Sequence, residues 1–419
     1  MIKRTLYPLI KKHLSNPEIS LIIGPRQAGK TTLMLLLQQE LSSQGEKTIF
    51  LNLDNDLDRQ HFTSQSFLLQ KIKLELGKNS GYVFIDEIQR KENAGLFLKG
   101  LYDRKLPYKF IVSGSGSVEL KEKVHESLVG RKRLFELSTI SFLEFVNYKT
   151  EYRYESKISE FFAIEKQYTR QLLNEYLNFG GYPQVVVAET ASQKQVVMNE
   201  IYQSYLEKDI ALLLKLKKPE SLTHLVRIMA DQSGKMVNYS ELSSTLNLAV
   251  ATVKNYLWYL EKTFILEKTP PFFQNVRKEI TKSPVYYFHD LGLKNYAQRR
   301  FGRDDFMMTN GHLFENFVWL QLHERLSQQF GLYFWRTKDK AEVDFIVDQG
   351  SNLIPIEVKF KELSKTTVMP SLRSFIKKYH PPTAYVIHLG QSMSRRVGTT
   401  QVRFISYLEL VGHMAAMFS

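Results

Sequence analysis

The segment Gly24-Pro25-Arg26-Gln27-Ala28-Gly29-Lys30-Thr31 fits the pattern GxxxxGK(S/T) without a mismatch. An apolar run at residues 19–23 precedes it, and a helical pattern begins at Lys30. The glycines let backbone N–H groups turn inward around phosphates, and the helix start adds its positive end. Lys30 would neutralise the β- and γ-phosphates of ATP, and the Thr31 hydroxyl would bind Mg²⁺. With Thr32 in the first helical turn, the segment predicts an ATP-binding loop.

Two carboxylates follow a second apolar run. Residues 82–85, Tyr-Val-Phe-Ile, end in Asp86 and Glu87. With the loop in place, Asp86 is expected to hold Mg²⁺ together with Thr31, and Glu87 to orient and deprotonate the attacking water. The two motifs together predict ATP hydrolysis.

Two further residues each have more than one interpretation. Ser113 follows an apolar run, where it would contact the γ-phosphate or water, or simply form a turn. Arg131 precedes the next predicted strand and would act as a catalytic arginine finger, or else face nucleic acid or solvent. A finger that acts on a neighbouring subunit requires a homo-oligomer, which the sequence leaves open.

The first half of the chain alternates apolar runs with helical patterns, which is typical of a parallel sheet covered by helices. The predicted strands are residues 19–23, 48–53, 82–85, 109–112 and 133–137. They show little alternation, as expected of strands that are buried on both faces. We therefore predict an α/β fold with the parallel sheet of a P-loop NTPase over residues 1–139.

The rest of the chain changes pattern twice. Residues 140–220 are predicted to form a helical lid, interrupted by a turn at Gly180-Gly181-Tyr182-Pro183. Residues 221–300 contain a helix-turn-helix pattern followed by a β-prone segment, the order found in a winged helix. Residues 301–419 are predicted to form a mixed α/β domain with a helix, three strands, a second helix and a further strand.

The helix-turn-helix pattern supports two interpretations. Ser240 is predicted to cap its first helix, and residues 252–262 its second. Four side chains of the second helix would contact DNA: Thr252, Lys254, Asn255 and Tyr259. Apolar residues at helical spacing indicate a core face: Val253, Tyr256, Leu257 and Leu260. A DNA-binding module and a protein-interaction spacer both remain open.

Acidic and basic residues recur on two consecutive predicted strands near the C-terminus. Glu357 and Lys359 are two positions apart, so their side chains leave the same face of a strand. Antiparallel pairing would bring Asp344 beside them, and Glu315 on the preceding helix would add a fourth polar group. Such a cluster can bind Mg²⁺ or Mn²⁺ and stabilise a phosphoryl transition state. The alternative is a structural cluster in which Lys359 merely neutralises two acids.

Most of the chain resembles the bacterial and archaeal AAA-domain ATPases that carry a carboxy-terminal domain of unknown function. The resemblance is carried by seven motifs: residues 24–31, Phe84-Ile85-Asp86-Glu87-Ile88-Gln89, Val112-Ser113-Gly114-Ser115, Leu128-Val129-Gly130-Arg131, Gly180-Gly181-Tyr182-Pro183, Tyr287-Phe288-His289-Asp290-Leu291-Gly292-Leu293 and Phe314-Glu315-Asn316-Phe317-Val318. It implies an ATPase, a winged helix and a nuclease-like domain. Asp344, Glu357 and Lys359 are similar to the PD-(D/E)XK signature, which implies a restriction-endonuclease-like C-terminal domain. Val343 stands where that signature has proline.

Composition limits the remaining classes. The 419 residues include no cysteine, which excludes disulfides, iron–sulfur clusters and cysteine nucleophiles. Histidines such as His289 and His323 are scattered singly and predict no metal site. The net charge of +14 favours a nucleic-acid partner, or simply solubility. The basic clusters are Arg131-Lys132-Arg133, Lys215 with Lys217 and Lys218, Arg299-Arg300 with Arg303, and Lys359 with Lys361.

The absence of a signal peptide or a long apolar run predicts a cytoplasmic protein without a membrane partner. The predicted function is ATP binding and hydrolysis coupled to action on nucleic acid, with ATP and Mg²⁺ as cofactors. A second Mg²⁺ or Mn²⁺ would serve a C-terminal nuclease. Two alternatives are open: a nucleotide-controlled switch that binds DNA or protein through an inactive nuclease-like domain, and a remodeller of proteins.

Overall fold

A computed structural model describes residues 1–115, 127–210, 219–303, 310–326 and 330–417. The chain divides into two compact units, Met1–Ile140 with Trp258–Ile265, and Ser141–Leu257 with Leu266–Ser419. The basic cluster of Lys215, Lys217 and Lys218 lies outside the described residues. Among the helices that are described, none has the length and apolar character needed to cross a membrane.

In the described part of residues 1–140, the first unit contains five strands and five α-helices. The strands are β1 (Ile19–Gly24), β2 (Thr48–Asn52), β3 (Gly81–Asp86), β4 (Tyr108–Ser115) and β5 (Lys132–Glu136). The helices are α1 (Tyr7–Lys12), α2 (Lys30–Ser43), α3 (Asp56–Arg59), α4 (Gln65–Leu76) and α5 (Ala94–Tyr102). Short 3₁₀ turns occupy His13–Ser15, Gln60–Thr63 and Ile88–Arg90. The predicted strands therefore lie within one residue of the observed ones, except that β4 ends three residues beyond its predicted end.

All five strands are parallel, in the order β2-β3-β4-β1-β5. Successive side chains of β1 enter two different cores: Ile19, Leu21 and Ile23 enter one, and Ile22 enters the other. The lack of alternation in the sequence is explained by this burial on both faces. The predicted P-loop NTPase-type α/β sheet is confirmed. Because the strands are parallel, their carboxyl ends share one edge, where the loop after β1 and the acids after β3 meet.

The second unit begins with a helical stretch. Its α-helices are α6 (Phe142–Lys149), α7 (Ile158–Ile164), α8 (Lys166–Phe179), α9 (Pro183–Val187), α10 (Ala191–Tyr202), α11 (Pro219–Asp231) and α12 (Tyr239–Leu246). A 3₁₀ turn occupies Glu155–Lys157 and a π-helix occupies Gln203–Ile210. Helix α13 (Val250–Lys262) crosses from the second unit into the first.

A small antiparallel sheet follows, made of β6 (Leu266–Thr269) and β7 (Val285–Phe288), with α14 (Val276–Thr281) between them. Met236 forms a bridge to Val285 at its edge. The predicted cap of α12 was wrong. Asn238, and not Ser240, caps this helix, because the Asn238 side-chain oxygen accepts from the N–H groups of Ser240 and Glu241 at 3.1 and 3.3 Å.

The last part contains a six-stranded mixed sheet. Its elements are α15 (Leu291–Ala297), α16 (Gly311–Arg325), β8 (Gly331–Arg336), β9 (Glu342–Asp348), β10 (Leu353–Val358), α17 (Pro370–Tyr379), β11 (Thr383–His388), β12 (Met393–Val397), β13 (Thr400–Ser406) and α18 (Tyr407–Met417). The strand order is β12-β13-β11-β10-β9-β8. Strands β8, β9 and β10 pair antiparallel, whereas β10 and β11 are parallel. Leu372 and Phe375 of α17 pack in one core with Val343 and Val386 of the sheet.

Candidate functional site

The loop between β1 and α2 depends on its two glycines. A Cβ placed on Gly24 would lie 2.1 Å from the carbonyl oxygen of Leu137, so only glycine fits there. Gly29 has a φ of 95° and forms the N-cap of α2, a conformation that side chains disfavour. Between them, Pro25 and Ala28 are buried. The backbone is therefore held in the turn that directs its N–H groups toward a bound anion.

Lys30 lies at the end of this loop, and its charged side chain is only 5% exposed. Its Nζ donates to the carbonyl oxygens of Gly24 and Pro25 at 3.1 and 2.7 Å. Burial lowers the pKa of Lys30 to about 8, although the charges of Glu87 and Asp86 oppose the shift. An anion bound in the loop would relieve the cost of burying this cation.

Three elements meet at Asp86, whose side chain is fully buried. Thr31 at the start of α2 donates its hydroxyl to Asp86 Oδ2 at 2.7 Å. Ser113 of β4 donates its hydroxyl to Asp86 Oδ1. The structure thus joins the three oxygen-bearing residues that the sequence assigned to Mg²⁺ and to the γ-phosphate. Hydroxyl and carboxylate oxygens are suitable ligands for Mg²⁺, so the residues present fit this ion.

Glu87 directly follows β3 and adopts φ 57°, in the left-handed region. This conformation is unfavourable for a residue with a side chain, and such strain concentrates at functional sites. Its carboxylate accepts a hydrogen bond from Gln89, a residue that the sequence analysis left without a role. The half-buried carboxylate is therefore oriented beside Asp86.

The other predicted loop residues occupy the rim of the site. Arg26 is half-buried, and its charge contributes to the lowered pKa of Lys30. Gln27 is exposed with φ 58°, and Thr32 is exposed in the first turn of α2. The side chains of Gln27 and Thr32 therefore face solvent, whereas those of Lys30 and Thr31 are more buried.

Arg131 lies apart from these residues. It precedes β5, whose first residue Lys132 pairs with Ile19 at the start of β1. The loop leaves the opposite end of β1, roughly 20 Å away at about 3.3 Å per residue. The Arg131 guanidinium pairs instead with Asp103, at 2.6 Å. Arg131 therefore does not reach the nucleotide loop of its own chain.

Sequence reasoning missed Arg4, which supports the loop from outside. Its guanidinium donates to the carbonyl oxygens of Ala28 at 2.9 Å, Ser138 at 2.7 Å and Thr139 at 3.2 Å. The contacts connect the loop to the segment after β5. An arginine close to the N-terminus belongs to no recognisable motif, so nothing in the sequence indicated this role.

The second cluster lies on β9 and at the end of β10. The pairing of Phe345 with Ile356 brings Asp344 beside Glu357, as predicted. Asp344 Oδ2 accepts from the backbone N–H of Val358 at 2.7 Å, and Lys359 Nζ donates to Glu357 Oε1 at 2.6 Å. The other carboxylate oxygen of Glu357, Oε2, is buried and has no hydrogen-bond partner among the described residues. An unsatisfied buried acceptor of this kind can be stabilised by a cation.

The pKa shifts follow from this crowding. Burial, and then the charges of Glu357 and Glu315, raise the pKa of Asp344 well above its usual range. Burial also raises the pKa of Glu357, although Lys359 opposes the shift. Burial opposes protonation of Lys359, but the two carboxylates outweigh it and raise its pKa. The two carboxyl groups resist being ionised at the same time. A divalent cation would stabilise both in the ionised form, so the cluster is suited to such an ion.

Glu315 of α16 faces the same cluster, as its influence on Asp344 and Glu357 indicates. The Tyr287 hydroxyl donates to Glu315 Oε1 at 2.6 Å, and His312 Nδ1 lies 3.2 Å from Oε2. Tyr287 was part of a motif but had no predicted role. The fourth polar group is therefore held in position by a buried tyrosine.

The helix-turn-helix pattern separates into buried and exposed faces as its periodicity predicts. The apolar set Val253, Tyr256, Leu257 and Leu260 is buried, whereas Lys254 and Asn255 are exposed. Lys254 Nζ lies 5.1 Å from the ring centre of Tyr239, a cation–π contact. The core interpretation of the apolar residues is confirmed.

Two motifs that had no chemical role form one structural contact. The Asp290 carboxylate accepts from the N–H groups of Gly181 at 2.8 Å and Leu293 at 2.9 Å. A Cβ on Gly180 would lie 2.4 Å from that carboxylate, and one on Gly292 would lie 2.1 Å from the carbonyl oxygen of Phe179. The glycines therefore permit the close packing of α15 on α8.

Three family models match consecutive parts of the chain. Residues 16–146 match the AAA domain, residues 170–304 match a domain of unknown function (DUF8612), and residues 310–408 match another domain of unknown function (DUF4143). The first match contains the whole nucleotide loop together with Asp86, Glu87 and Ser113.

Relatives of similar length occur in bacteria and archaea. An uncharacterized protein of Mycobacterium tuberculosis is 26% identical over 388 residues, covering 91% of this chain and 79% of that protein. An uncharacterized protein of Methanocaldococcus jannaschii is 23% identical over 367 residues, covering 86% and 79%. A structure of the replication initiator DnaA is 14% identical and covers 62% of this chain and 90% of that one, with a TM-score of 0.32. A TM-score this low does not establish a common overall fold.

The AAA-domain match coincides with the residues that the structure joins around the nucleotide loop. Thr31, Asp86 and Ser113 form one hydrogen-bonded group within it. Residues 16–146 of the chain are similar to the AAA domain, and the group that these three residues form fits the binding of Mg·ATP.

Proposed function

We propose that the protein hydrolyses ATP in its first unit and cleaves nucleic acid at a metal-dependent site formed by Asp344, Glu357 and Lys359. The observation that carries the proposal is the unpaired, buried Oε2 of Glu357 beside Asp344. The buried Glu357, the half-buried Asp344 and Lys359 in contact with Glu357 provide both a cation site and a positive group for phosphodiester chemistry.

In the ATPase reaction, the loop from Gly24 to Gly29 surrounds the phosphates with its N–H groups, and Lys30 neutralises their charge. Thr31 and Asp86 would hold Mg²⁺, which would offset charge on the phosphates. Glu87 orients and deprotonates the attacking water. The Ser113 hydroxyl, which donates to Asp86, would contact the γ-phosphate or the attacking water.

In the C-terminal reaction, Asp344 and Glu357 would hold the metal ion, with Glu315 as a further acidic neighbour. The ion would polarise the phosphate and lower the pKa of a bound water. Lys359 stabilises the charge that develops on the phosphate. The order α16-β8-β9-β10-α17-β11, with the acids on the second and third strands, supports a restriction-endonuclease-like PD-(D/E)XK domain.

Nucleic acid is the proposed polyanionic partner because the chain carries a net charge of +14. Arg227 and Arg300 line a cavity of about 480 Å³ in the second unit. Met236, α12, α13, β6 and β7 follow the order of a winged helix, which supports a DNA-binding module there. Lys254 and Asn255 on its second helix are exposed and available for contact.

The proposed layout has four parts: an ATPase core at 1–139, a lid at 140–220, a winged helix at 221–300 and a nuclease-like domain at 301–419. Arg131 would act on nucleotide only in trans, as an arginine finger in a homo-oligomer, because it lies at the far edge of its own sheet.

A second candidate is a nucleotide-controlled switch whose C-terminal part binds DNA or protein without cleaving it. The observation in its favour is the pairing of Lys359 with Glu357, which neutralises one acid without any metal ion. The two candidates differ in a single observable, which is cleavage.

The test is incubation of the purified protein with labelled single- and double-stranded DNA and RNA, with Mg²⁺ or Mn²⁺, with and without ATP. The Asp344→Asn protein is compared with the Asp339→Asn protein, whose exposed acid precedes the same strand. We expect cleavage by the wild type and the Asp339 variant, and a loss of at least about 10³-fold in the Asp344 variant.

Equal cleavage by the Asp344 variant would overturn the assignment of this site. ATP hydrolysis with binding but no cleavage would establish the switch instead. The Lys30→Ala protein, assayed alongside, should lose ATP hydrolysis and thus separate the two activities.

A further inference from the structure

Three side chains with metal-binding atoms meet outside the nucleotide loop and outside the carboxylate cluster of Asp344 and Glu357. They are Glu267 of β6, His289 just after β7, and His323 of α16. One ligand atom of each lies within 4.8 Å of the others, and His289 Nε2 is 3.3 Å from Glu267 Oε2. In the sequence the two histidines stand singly and predicted no metal site. The fold brings them together with Glu267 into a cluster of nitrogen and oxygen ligand atoms.

The antiparallel register of β6 and β7 brings the first two residues together. Glu267 pairs with Tyr287, and His289 follows two positions later. Residues two apart on an extended chain point to the same face, so the carboxylate and the imidazole lie on one side of the hairpin. The third ligand has to come from an element that packs on that side.

Helix α16 supplies it. Its Asn316 side chain is fully buried and bonds both backbone groups of Phe288, accepting from N–H at 3.0 Å and donating to the carbonyl oxygen at 2.8 Å. This contact fixes the helix against β7. His323 lies seven residues later, about two helical turns, and therefore returns to the same face.

The aromatic side chain of Trp319 orients both imidazoles. It stacks on His323 with a centroid distance of 4.5 Å and meets His289 edge-on at 5.5 Å. Its own Nε1–H donates to Thr269 Oγ1 at 3.0 Å, so the indole is itself held in place. His289 is buried, whereas Glu267 is 33% exposed and leaves the cluster open to solvent on one side. The ligands are preorganised, and an ion can reach them.

We propose that Glu267, His289 and His323 bind one Zn²⁺ ion that joins the β6–β7 hairpin to α16. An ion pair between Glu267 and His289 would need only one imidazole, whereas the second imidazole within ligand distance completes a metal site. Two histidines and one carboxylate are a familiar zinc-binding set, with water completing the tetrahedron. Imidazole ligands favour zinc over Mg²⁺, which distinguishes this site from the carboxylates Asp344 and Glu357.

The test is a zinc titration of the full-length protein after removal of metals, in competition with a chromogenic chelator, together with zinc analysis after dialysis. We expect one tightly bound zinc per chain. The Glu267→Gln and His323→Gln variants should each lose at least about 10-fold in zinc affinity, and the double variant at least about 100-fold. Zinc should raise the Tm of the wild type but not of the double variant.

Three variants serve as controls. His224→Gln and His312→Gln change histidines outside the cluster and should retain the zinc, as should Asp344→Asn. Circular dichroism establishes that the Glu267 and His323 variants are folded, which is expected because both residues are partly exposed. The proposal is overturned if the wild type binds no stoichiometric zinc, if the double variant binds it normally, or if Asp344→Asn abolishes binding.

Discussion

The nucleotide loop and the C-terminal carboxylate cluster bury charges of opposite sign. In the loop, burial lowers the pKa of Lys30 to about 8. In the cluster, burial raises the pKa values of Asp344 and Glu357. Each site carries an electrostatic cost that a ligand of the opposite charge would reduce. The first site is therefore suited to an anion such as a triphosphate, and the second to a divalent cation.

The two sites also differ in how they are assembled. The loop consists of consecutive residues, and its geometry comes from local backbone preferences at Gly24 and Gly29. The carboxylate cluster instead needs the register of β9 and β10 and the position of α16. A local site tolerates changes elsewhere in the fold, whereas an assembled site depends on the residues that hold its parts together.

Replacing Glu87 with glutamine should give a large effect on ATP hydrolysis at the first site. The substitution removes the general base but keeps the shape of the loop, so ATP binding should persist while hydrolysis falls about 10²–10⁴-fold. Phosphate release and equilibrium binding of a fluorescent ATP analogue measure the two quantities. The matched control is Glu92→Gln, an exposed acid six residues from β3. Unchanged hydrolysis in the Glu87 variant would remove this residue from the reaction.

Replacing Tyr287 with phenylalanine tests the assembled character of the second site. The change leaves Glu315 Oε1 without its hydroxyl donor. Because residues behind metal ligands typically contribute 10–100-fold to affinity, we expect Mn²⁺ binding to weaken about 10-fold. Electron paramagnetic resonance of free Mn²⁺ gives the affinity, and ATP hydrolysis should be unchanged. Tyr286→Phe removes a hydroxyl from the adjacent residue and serves as control. Equal Mn²⁺ affinity in the Tyr287 variant would mean that Glu315 does not act at this site.

Replacing Arg4 with glutamine is the corresponding test at the first site, and its effect should be smaller. The change removes hydrogen bonds to Ala28, Ser138 and Thr139, but the loop keeps its own backbone geometry. We expect ATP affinity to fall roughly fivefold, about 1 kcal/mol. Lys3→Gln changes an exposed neighbouring charge and should leave the affinity unaltered. A loss as large as that of Lys30→Ala would contradict the view that the loop is locally determined.

Sequence predicted the local features well. The strands of the parallel sheet were placed to within one residue, apart from the end of β4, since apolar runs between helical patterns identify buried strands directly. The contact of Thr31 with Asp86 followed from motifs alone. Periodicity also identified the buried face of α13. In each case the information is carried by neighbouring residues.

Features that depend on distant contacts were not predictable in the same way. Ser240 was a reasonable cap by residue type, but Asn238 stands where the helix begins. Arg131 is the last residue of a motif, yet the strand direction puts it at the opposite end of the sheet from the nucleotide loop. The cluster of Glu267, His289 and His323 spans more than fifty residues of sequence, and no local pattern links its members. Tertiary packing, and not residue type, decides all three.

The most direct test of the opposed charges is calorimetric titration of the wild type, the Lys30→Ala protein and the Asp344→Asn protein with Mg·ATP and, separately, with Mn²⁺. The account predicts that each variant loses one ligand and keeps the other: Lys30→Ala loses ATP but binds Mn²⁺, and Asp344→Asn binds ATP but loses Mn²⁺. Normal Mn²⁺ binding by the Asp344 variant, or normal ATP binding by the Lys30 variant, would contradict it.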